Sequence, residues 1–360
     1  MSAEVRWQNC VYQKGDEAEA FLEFFKQPDR TILVLAGGGF DPRSTAVVKK
    51  LASATDRMKC LLIREDRPNP PPELVAQADR NREEIQGTVK EVQLVPIQIF
   101  AADLAVTAGR EIAKLVGAAD LSKYTDVVVD VSALSKGVAF PMVRAALESL
   151  RTKPKTNLHL MVAENADIDS CVEEIPNDRP EMIAGFSGAW GLDATRDTAI
   201  MWLPQLRKGN SQRSILDKLY KFVDPDETCP ILPFPARNPR LPDELLEEYL
   251  IEIQSTWQVD PGDLVYAHES DPLDVYRAIL RLDDIRKRVF REVGGSQIVL
   301  SPLGSKVLGI GALMAALARD FPVAYVEAIE YRVELAMMNA RHPNAAEIVH
   351  VWLHGEAYGC

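Results

Sequence analysis

Two segments of this chain are imperfect copies of each other, and each predicts a β-strand that runs directly into an apolar helix. Residues 126–141 read DVVVDVSALSKGVAFP, and residues 297–313 read QIVLSPLGSKVLGIGAL. Both segments contain Ser-x-Leu and then a Ser-Lys pair, at 135–136 and at 305–306, and the second copy has one extra residue, Gly304. A fold for this chain therefore has to accommodate the same strand–turn–helix unit twice.

An Asp-Pro pair precedes a predicted helix in each half of the chain, at Asp41-Pro42 and at Asp271-Pro272. Proline suits the first turn of a helix, and aspartate is a good cap just before it. The order strand, Asp-Pro, helix and then strand, Ser-Lys, helix is the same in both halves. This order predicts an internal duplication.

Short strands rich in Val, Ile and Leu alternate with helical patterns, which indicates parallel sheets covered by helices on both faces. Strands are predicted at 31–36, 60–63, 92–99, 126–131, 157–162, 264–267, 298–300, 323–328 and 348–353, and helices at 46–54, 73–85, 103–116, 137–150, 215–222, 241–254, 273–282 and 307–317. Recurrent prolines loosen this pattern between 167 and 263. We therefore predict an α/β protein of two Rossmann-like lobes in pseudo-duplicate, residues 1–166 and 264–360, joined by a Pro-rich helical bridge over 167–263.

Charge and cysteine usage exclude several classes of protein. A formal charge of −12 argues against a protein that coats duplex nucleic acid or an anionic membrane. The five cysteines are scattered and include no Cys-x-x-Cys pair, which argues against a zinc site or a disulfide framework and favours the cytoplasm. His350 and His354 lie four apart on a predicted strand, about 13 Å from each other, so no metal site is predicted there. No cofactor is predicted.

The repeated strand–turn–helix unit suits the binding of phosphate. The N–H groups and positive dipole end of a helix attract an anion, and a lysine in the first turn adds a point charge. The predicted ligand-binding residues come from three turns: Gly38, Gly39, Asp41, Arg43 and Ser44; Asp130, Ser132, Ser135 and Lys136; and Ser301, Gly304, Ser305 and Lys306. The alternative interpretation is that the serines cap helices and the lysines are solvated. Gly309 and Gly311, inside the predicted helix 307–317, are expected to allow close packing.

The segment 130–136 resembles a family signature. It has an acid, Asp130, a serine two residues later and Lys136 four residues after that. At the end of the fourth strand of a Rossmann-like fold, this spacing resembles the signature of the CRISPR-associated Rossmann fold (CARF) family, and the loop 37–44 after the first strand fits it. The resemblance implies a domain that binds cyclic oligonucleotides across a two-fold interface.

The SAVED family looks like two such units fused into one chain, which is similar to the duplication predicted here. The second copy departs from the signature, because Leu300 stands where the acid would be and Gly304 intrudes. The resemblance also implies a role in bacterial defence. Because the sequence lacks the pattern of many small RNases, an arginine followed four to six positions later by histidine, any effector is expected on another chain, or the fold itself does the chemistry.

Three hypotheses follow for the function. The first is a cytoplasmic sensor that binds a phosphorylated, nucleotide-type ligand where the two lobes meet. The second is a nucleotide or phosphodiester hydrolase, in which Glu269 or Asp271, placed after a buried strand, would be the catalytic base and lysines would stabilise the developing charge. The third is a subunit with a vestigial pocket that acts through a protein partner. The sequence leaves the ligand and the oligomeric state open.

Overall fold

The architecture comes from a computed structural model that describes residues 6–188, 198–209, 211–292, 294–341 and 346–358. The chain divides into two units, Met1–Val172 with Ile329–Cys360, and Glu173–Ala328. No described helix is long and apolar enough to cross a membrane. The four described cysteines, at positions 10, 60, 171 and 229, are free thiols.

The secondary structure of the described residues is an alternation of strands and helices. The strands are β1 (Tyr12–Lys14), β2 (Ile32–Gly37), β3 (Met58–Asp66), β4 (Glu91–Gln98), β5 (Asp126–Asp130), β6 (Asn157–Glu164), β7 (Val172–Pro176), β8 (Glu181–Met182), β9 (Ala199–Pro204), β10 (Glu227–Thr228), β11 (Ile231–Pro233), β12 (Val265–Ala267), β13 (Ser296–Ser301), β14 (Ala324–Tyr325), β15 (Ala328–Val333) and β16 (Glu347–His354). The helices are α1 (Asp16–Phe21), α2 (Ala46–Ala54), α3 (Pro72–Thr88), α4 (Ala108–Ala118), α5 (Lys136–Leu150), α6 (Ala166–Asp169), α7 (Gln212–Val223), α8 (Leu241–Glu248), α9 (Pro272–Val289), α10 (Lys306–Arg319) and α11 (Leu335–Ala340).

The first unit is built on a seven-stranded sheet in the order β1-β16-β6-β5-β2-β3-β4. Strands β2 to β6 are parallel. Beside β6, β16 pairs antiparallel with β6, and β1 pairs antiparallel with β16. Counted along the chain, the five parallel strands lie in the order third, second, first, fourth, fifth. This is the order of a Rossmann-like sheet, in which the direction of winding changes between the first and fourth strands.

Helices cover both faces of this sheet, so its central strands are buried along their whole length. On one face Val34, Cys60 and Val128 pack against Val48 and Leu51 of α2. Helices α4 and α5 contact each other. Every residue of β2 and β5 is buried, including the aspartates at the two ends of β5. Continuous burial explains why β2 and the three valines of β5 read as hydrophobic runs in the sequence.

The second unit has the same order of parallel strands. Strand β9 pairs with β10 on one side and β13 on the other, and β11 pairs with β12. Single bridges from Gln205 to Ile231 and from Leu300 to Val323 extend these pairings to β11 and to the residue before β14. Taking β10 and β11 as one interrupted strand, the order is again third, second, first, fourth, fifth. An antiparallel strand, β8, then flanks β14 as β16 flanks β6.

The prediction of an α/β fold with mainly parallel, Rossmann-like sheets is confirmed, although a common origin of the two units stays a prediction. The structure divides the chain differently from the predicted lobes. The predicted bridge over 167–263 contains the first two parallel strands of the second unit, which are β9 and the interrupted strand β10–β11. Strand β16, predicted for the second lobe, belongs to the first unit. Strands β10 to β12 are only two or three residues long. Such short strands carry little hydrophobic pattern, and prolines at 204, 230 and 233 obscured it further.

The Asp-Pro pairs are not equivalent in the two units, which corrects the predicted order. Asp41-Pro42 follows β2, the first parallel strand, whereas Asp271-Pro272 follows β12, the third. Aspartate followed by proline is a general signal for the start of a helix and is not tied to one position in a sheet. The Ser-Lys pairs, in contrast, follow the fourth parallel strand in both units, before α5 and before α10.

A chain of polar side chains, buried except for the half-buried Gln13, crosses four strands of the first unit. His159 on β6 contacts Asp126 on β5 at 3.1 Å and His350 on β16 at 2.9 Å, and His350 contacts Gln13 on β1. Because a carboxylate only accepts, His159 Nε2–H donates to Asp126. Both histidines are fully buried, and burial holds the pKa of each below its ordinary value.

We expect these histidines to make the protein less stable as the pH falls below about 6.5, the pKa of an unfolded histidine. A histidine whose folded pKa is lowered binds more protons when unfolded, so the free energy of unfolding falls from that pH down to the folded pKa. The loss is about 1.4 kcal/mol for each unit by which the pKa is lowered. The pKa of Asp126 is also lowered, by hydrogen bonds from His159, Thr125 and Asn157 that outweigh burial, but its contribution is lost only at a more acidic pH.

Urea unfolding between pH 7.5 and 4.5 measures this dependence. His350→Gln should have a shallower slope of unfolding free energy against pH between 6.5 and 4.5, whatever its stability at pH 7.5. An unchanged slope in His350→Gln would show that the acid sensitivity arises elsewhere.

Candidate functional site

The candidate site of each unit lies where the carboxyl ends of the first and fourth parallel strands meet. In the first unit these are β2 and β5, and in the second β9 and β13. Ligands of open α/β sheets bind at this switch point, because the helices that follow the two strands leave a crevice there. The Ser-Lys pairs lie at this position in both units.

The turn after β5 is held together by Asp130 and Ser132. The carboxylate of Asp130 accepts hydrogen bonds from the backbone N–H of Ser132, at 2.9 Å, and from its hydroxyl. The Ser132 hydroxyl oxygen in turn accepts the N–H of Ala163 on β6 at 2.8 Å. Both Asp130 and Ser132 are buried. These two predicted ligand residues therefore connect the fourth strand to the fifth.

Ser301 likewise connects the fourth parallel strand to the fifth in the second unit. Its hydroxyl accepts the indole N–H of Trp202 at 2.9 Å and donates to the carbonyl oxygen of Ala324 at 2.9 Å. Ser301 is fully buried at the end of β13, and Ala324 begins β14. The first serine of each repeated segment thus joins the fourth and fifth strands, which is a structural role shared by the two copies.

A glycine allows the first and fourth parallel strands to approach closely in each unit. In the first unit the glycine belongs to the first strand, and in the second unit it follows the fourth strand. A Cβ at Gly37, which ends β2, would lie 2.8 Å from the carbonyl oxygen of Ala133. In the second unit a Cβ at Gly304 would lie 3.0 Å from Oε1 of Gln205, which follows β9. The extra residue of the second copy therefore provides space for a larger side chain on the first strand. At Gly39 the nearest atom would be 3.7 Å away, so this glycine is not required by packing.

Two side chains of α3 hold the loop after β2 through hydrogen bonds. Asn81 donates to the carbonyl oxygens of Gly39 and Asp41 at 2.9 and 3.1 Å, and Arg82 donates to that of Gly38 at 2.9 Å. A side chain at Gly38 would meet Leu62 at 2.9 Å. Gly38 is therefore packed against the protein, and its carbonyl oxygen is already bound.

Arg43 pairs with carboxylates of its own unit, and its role in binding phosphate stays a prediction. It is 2% exposed and contacts Asp41 and Asp169, each at 2.7 Å. Asp41 also accepts the backbone N–H of Arg43. Ser44, beside it, is fully buried. Asp41 and Arg43 therefore stabilise the loop between β2 and α2, whereas the buried hydroxyl oxygen of Ser44 has no hydrogen-bond partner among the described residues.

Ser135 is the N-cap residue of α5, and it does not cap the helix with its side chain. Its backbone N–H donates to Oε1 of Glu65, at the end of β3, at 2.8 Å. The same carboxylate pairs with Arg67 at 2.8 Å. The hydroxyl oxygen of Ser135 is buried and has no hydrogen-bond partner among the described residues.

Ser305 caps α10 in the ordinary way. Its hydroxyl oxygen accepts the N–H of Leu308 at 3.2 Å, so the cap interpretation holds for the second copy. Lys136 and Lys306 are the first residues of α5 and α10, and both are partly exposed. The two copies therefore share a lysine at the helix start and differ in what their serine does.

The predicted catalytic carboxylates lie away from the switch point. Glu269 and Asp271 follow β12, the edge strand of the second unit. Glu269 accepts the backbone N–H of Arg237 at 2.6 Å, and Asp271 caps α9 by accepting the N–H of Leu273 at 2.8 Å. Within the described residues no group of three or more His, Cys, Asp and Glu side chains could hold a metal ion.

Sequence reasoning missed the surroundings of Ser135. Arg67 donates to the hydroxyl of Tyr331 at 3.3 Å, and its guanidinium lies 4.8 Å from the centre of that ring. Phe40 packs edge-to-face on Tyr331, with 5.3 Å between ring centres. Glu65 near the end of β3 and Arg67 directly after it could have been recognised from their position at the carboxyl end of a largely buried strand, as the residues of the other turns were. Tyr331 lies far along the chain, and only folding brings it to this edge.

A groove of about 820 Å³ in the first unit lies elsewhere. Its lining includes Leu33, Lys59, Gln93 and Tyr124, which lie near the amino ends of β2 to β5. Because ligands of parallel sheets bind at the carboxyl ends, and no predicted site residue lines it, we give the switch point more weight than this groove.

Comparisons with known proteins leave the function open. No family model and no curated protein matches this chain. The CcbJ methyltransferase from Streptomyces caelestis is 14% identical, with 46% of this chain and 54% of that chain covered and a TM-score of 0.21. TrmN from Thermus thermophilus is 9% identical, with 46% of this chain and 43% of that chain covered and a TM-score of 0.24. The chain therefore spans about half the length of these structures, and similarity at this level carries no argument about what it binds.

Proposed function

We propose that this protein is a sensor that binds a phosphorylated, nucleotide-type ligand at the amino-terminal end of α5, with α10 as a second, modified copy of the site. One observation carries the proposal. In both units a Ser-Lys pair begins a helix of 14 or 15 residues directly after the fourth parallel strand, at the switch point. A helix start with a lysine attracts phosphate, and the switch point is where an α/β sheet leaves room for it.

The CARF-like spacing of Asp130, Ser132 and Lys136 supports a nucleotide as the ligand and a cyclic oligonucleotide as its finer identity. It also supports a role in cytoplasmic bacterial defence, with the effector on a separate chain. The departures of the second copy suit a pair of sites that bind unequally. Binding without turnover is favoured, because Asp271 is engaged as a helix cap and Glu269 holds a backbone N–H.

Lys136→Ala should weaken the binding of an anionic nucleotide by about 1–3 kcal/mol, the value of a charge-assisted hydrogen bond. Lys306→Ala should have a smaller effect in the same direction. The thermal melt without ligand should hardly change, because a partly exposed lysine contributes little to stability. Lys90→Ala, an exposed lysine that precedes β4, is the matched control.

A panel of linear and cyclic nucleotides, followed by thermal shift and by product chromatography, tests the proposal. A shift without product, reduced by Lys136→Ala and unaffected by Lys90→Ala, supports a sensor. Consumption of a nucleotide that Glu269→Gln abolishes would replace the sensor with an enzyme. Equal affinities of wild type and both Lys→Ala variants would remove the helix starts from the site.

A further inference from the structure

The amino-terminal end of α5 already holds an anion, the carboxylate of Glu65. One of its oxygens accepts the N–H of Ser135 at 2.8 Å, and the other contacts Arg67 at 2.8 Å. The Glu65 and Arg67 side chains are only 11% and 9% exposed. The N–H at the helix start and the guanidinium thus bracket a negatively charged group, which is the arrangement that recognises phosphate.

A second observation points to a larger anion than a carboxylate. Ser135 is 8% exposed, and within the described residues its buried hydroxyl oxygen makes no hydrogen bond. The matching hydroxyl of Ser305 caps its own helix. A buried hydroxyl without a partner is costly unless a ligand or water satisfies it. Each oxygen of the Glu65 carboxylate accepts one hydrogen bond, and neither accepts from this hydroxyl, whereas a phosphate group adds a third acceptor oxygen.

We propose that Glu65 is a built-in competitor of the ligand: a phosphate group takes the position of its carboxylate, bound by the Ser135 N–H and hydroxyl and by Arg67. This inference rests on the proposed function and specifies which group of the ligand binds where. Glu65 is the last residue but one of β3, so its side chain lies at the rim of the sheet and can turn to solvent. Arg67 changes partner from carboxylate to phosphate.

The exchange sets a threshold for binding. The incoming group must replace both interactions of Glu65, and a dianionic phosphate with three acceptor oxygens does so better than a carboxylate or a monoanion. Tyr331, which holds the Arg67 guanidinium against its ring, and Phe40 beside it offer aromatic faces at the same edge of the sheet. The site therefore selects for a phosphate that is attached to a flat, stacking group.

Glu65→Gln tests the exchange with inorganic phosphate as the probe, titrated by calorimetry at pH 8. The glutamine oxygen still accepts the Ser135 N–H but no longer competes as an anion for Arg67. We expect about a ten-fold gain in phosphate affinity, or about 1.4 kcal/mol. Glu91→Gln, an exposed glutamate at the opposite end of the neighbouring strand, should leave the affinity unchanged. Adding Arg67→Ala to Glu65→Gln should cancel the gain.

Nucleotide binding by the wild type separates failure of this inference from failure of the proposed function. If nucleotides bind the wild type but Glu65→Gln binds phosphate no more tightly, Glu65 is a structural residue and only this inference falls. If neither protein binds phosphate or any nucleotide of the panel, both proposals fall. A gain in Glu65→Gln that persists after Arg67→Ala would also overturn the exchange, because the phosphate would then lie elsewhere.

Discussion

Replacing Arg43 with alanine is expected to destabilise the first unit by about 3 kcal/mol, the lower end of the range for breaking a buried ion pair. The guanidinium is 2% exposed and contacts both Asp41 and Asp169 at 2.7 Å. Burial alone would lower the pKa of Arg43, but the two carboxylates outweigh it and the pKa is raised. Without the arginine, two negative charges face each other. The side chains of Asp41 and Asp169 are 12% and 24% exposed, so solvent screens part of their repulsion.

Denaturant unfolding measures this loss of stability, with two further variants for comparison. Arg43→Lys keeps a charge but cannot contact both carboxylates through a planar fork, so its stability should be intermediate. Lys90→Ala removes an exposed partner of Asp56, and it should hardly change the free energy of unfolding. If Arg43→Ala unfolds with the same free energy as Lys90→Ala, the buried pair contributes nothing and Arg43 becomes available again as a ligand residue.

Alanine at Gly311 is expected to destabilise the second unit by about 1–3 kcal/mol, the cost of overpacking a well-packed core. Gly311 lies inside α10, where a Cβ would clash with the carbonyl oxygen of Pro272 and lie 2.6 Å from the Cβ of Val275 on α9. Both neighbours belong to the first turn of α9, and the Pro272 contact is with backbone. Relief therefore requires the two helices to separate.

The same substitution at Gly87 is the matched control, because a Cβ there meets no atom within 4 Å. Gly87 lies in α3, and alanine has the better helix propensity by about 1 kcal/mol. Gly87→Ala should leave stability unchanged or raise it, while Gly311→Ala lowers it. A denaturant midpoint of Gly311→Ala that is equal to or above that of the wild type would show that α9 and α10 tolerate an added methyl group.

The candidate site was only partly predictable from the sequence. The Ser-Lys pairs were recognised as equivalent, and the structure places both after the fourth parallel strand, because a repeated local pattern reports a repeated local structure. The partners of individual side chains were not predictable. Asp41 and Arg43 were assigned to ligand, but Asp169, which completes their ion pair, is distant in the sequence. Nothing in the segment 126–136 indicates that Glu65 reaches the start of α5.

The chain by itself determined the local structure and the class of fold. Strand β2 is apolar at every position, the buried strand β5 has three consecutive valines, and helix starts carry caps and prolines. Both kinds of element can therefore be recognised from neighbouring residues. Only the tertiary structure decided that Ser135 and Ser305 differ, with one facing a carboxylate and the other capping its helix. It also decided that β16 joins the first unit. These outcomes depend on pairings between residues far apart in sequence, which compete across the whole fold and leave no local pattern.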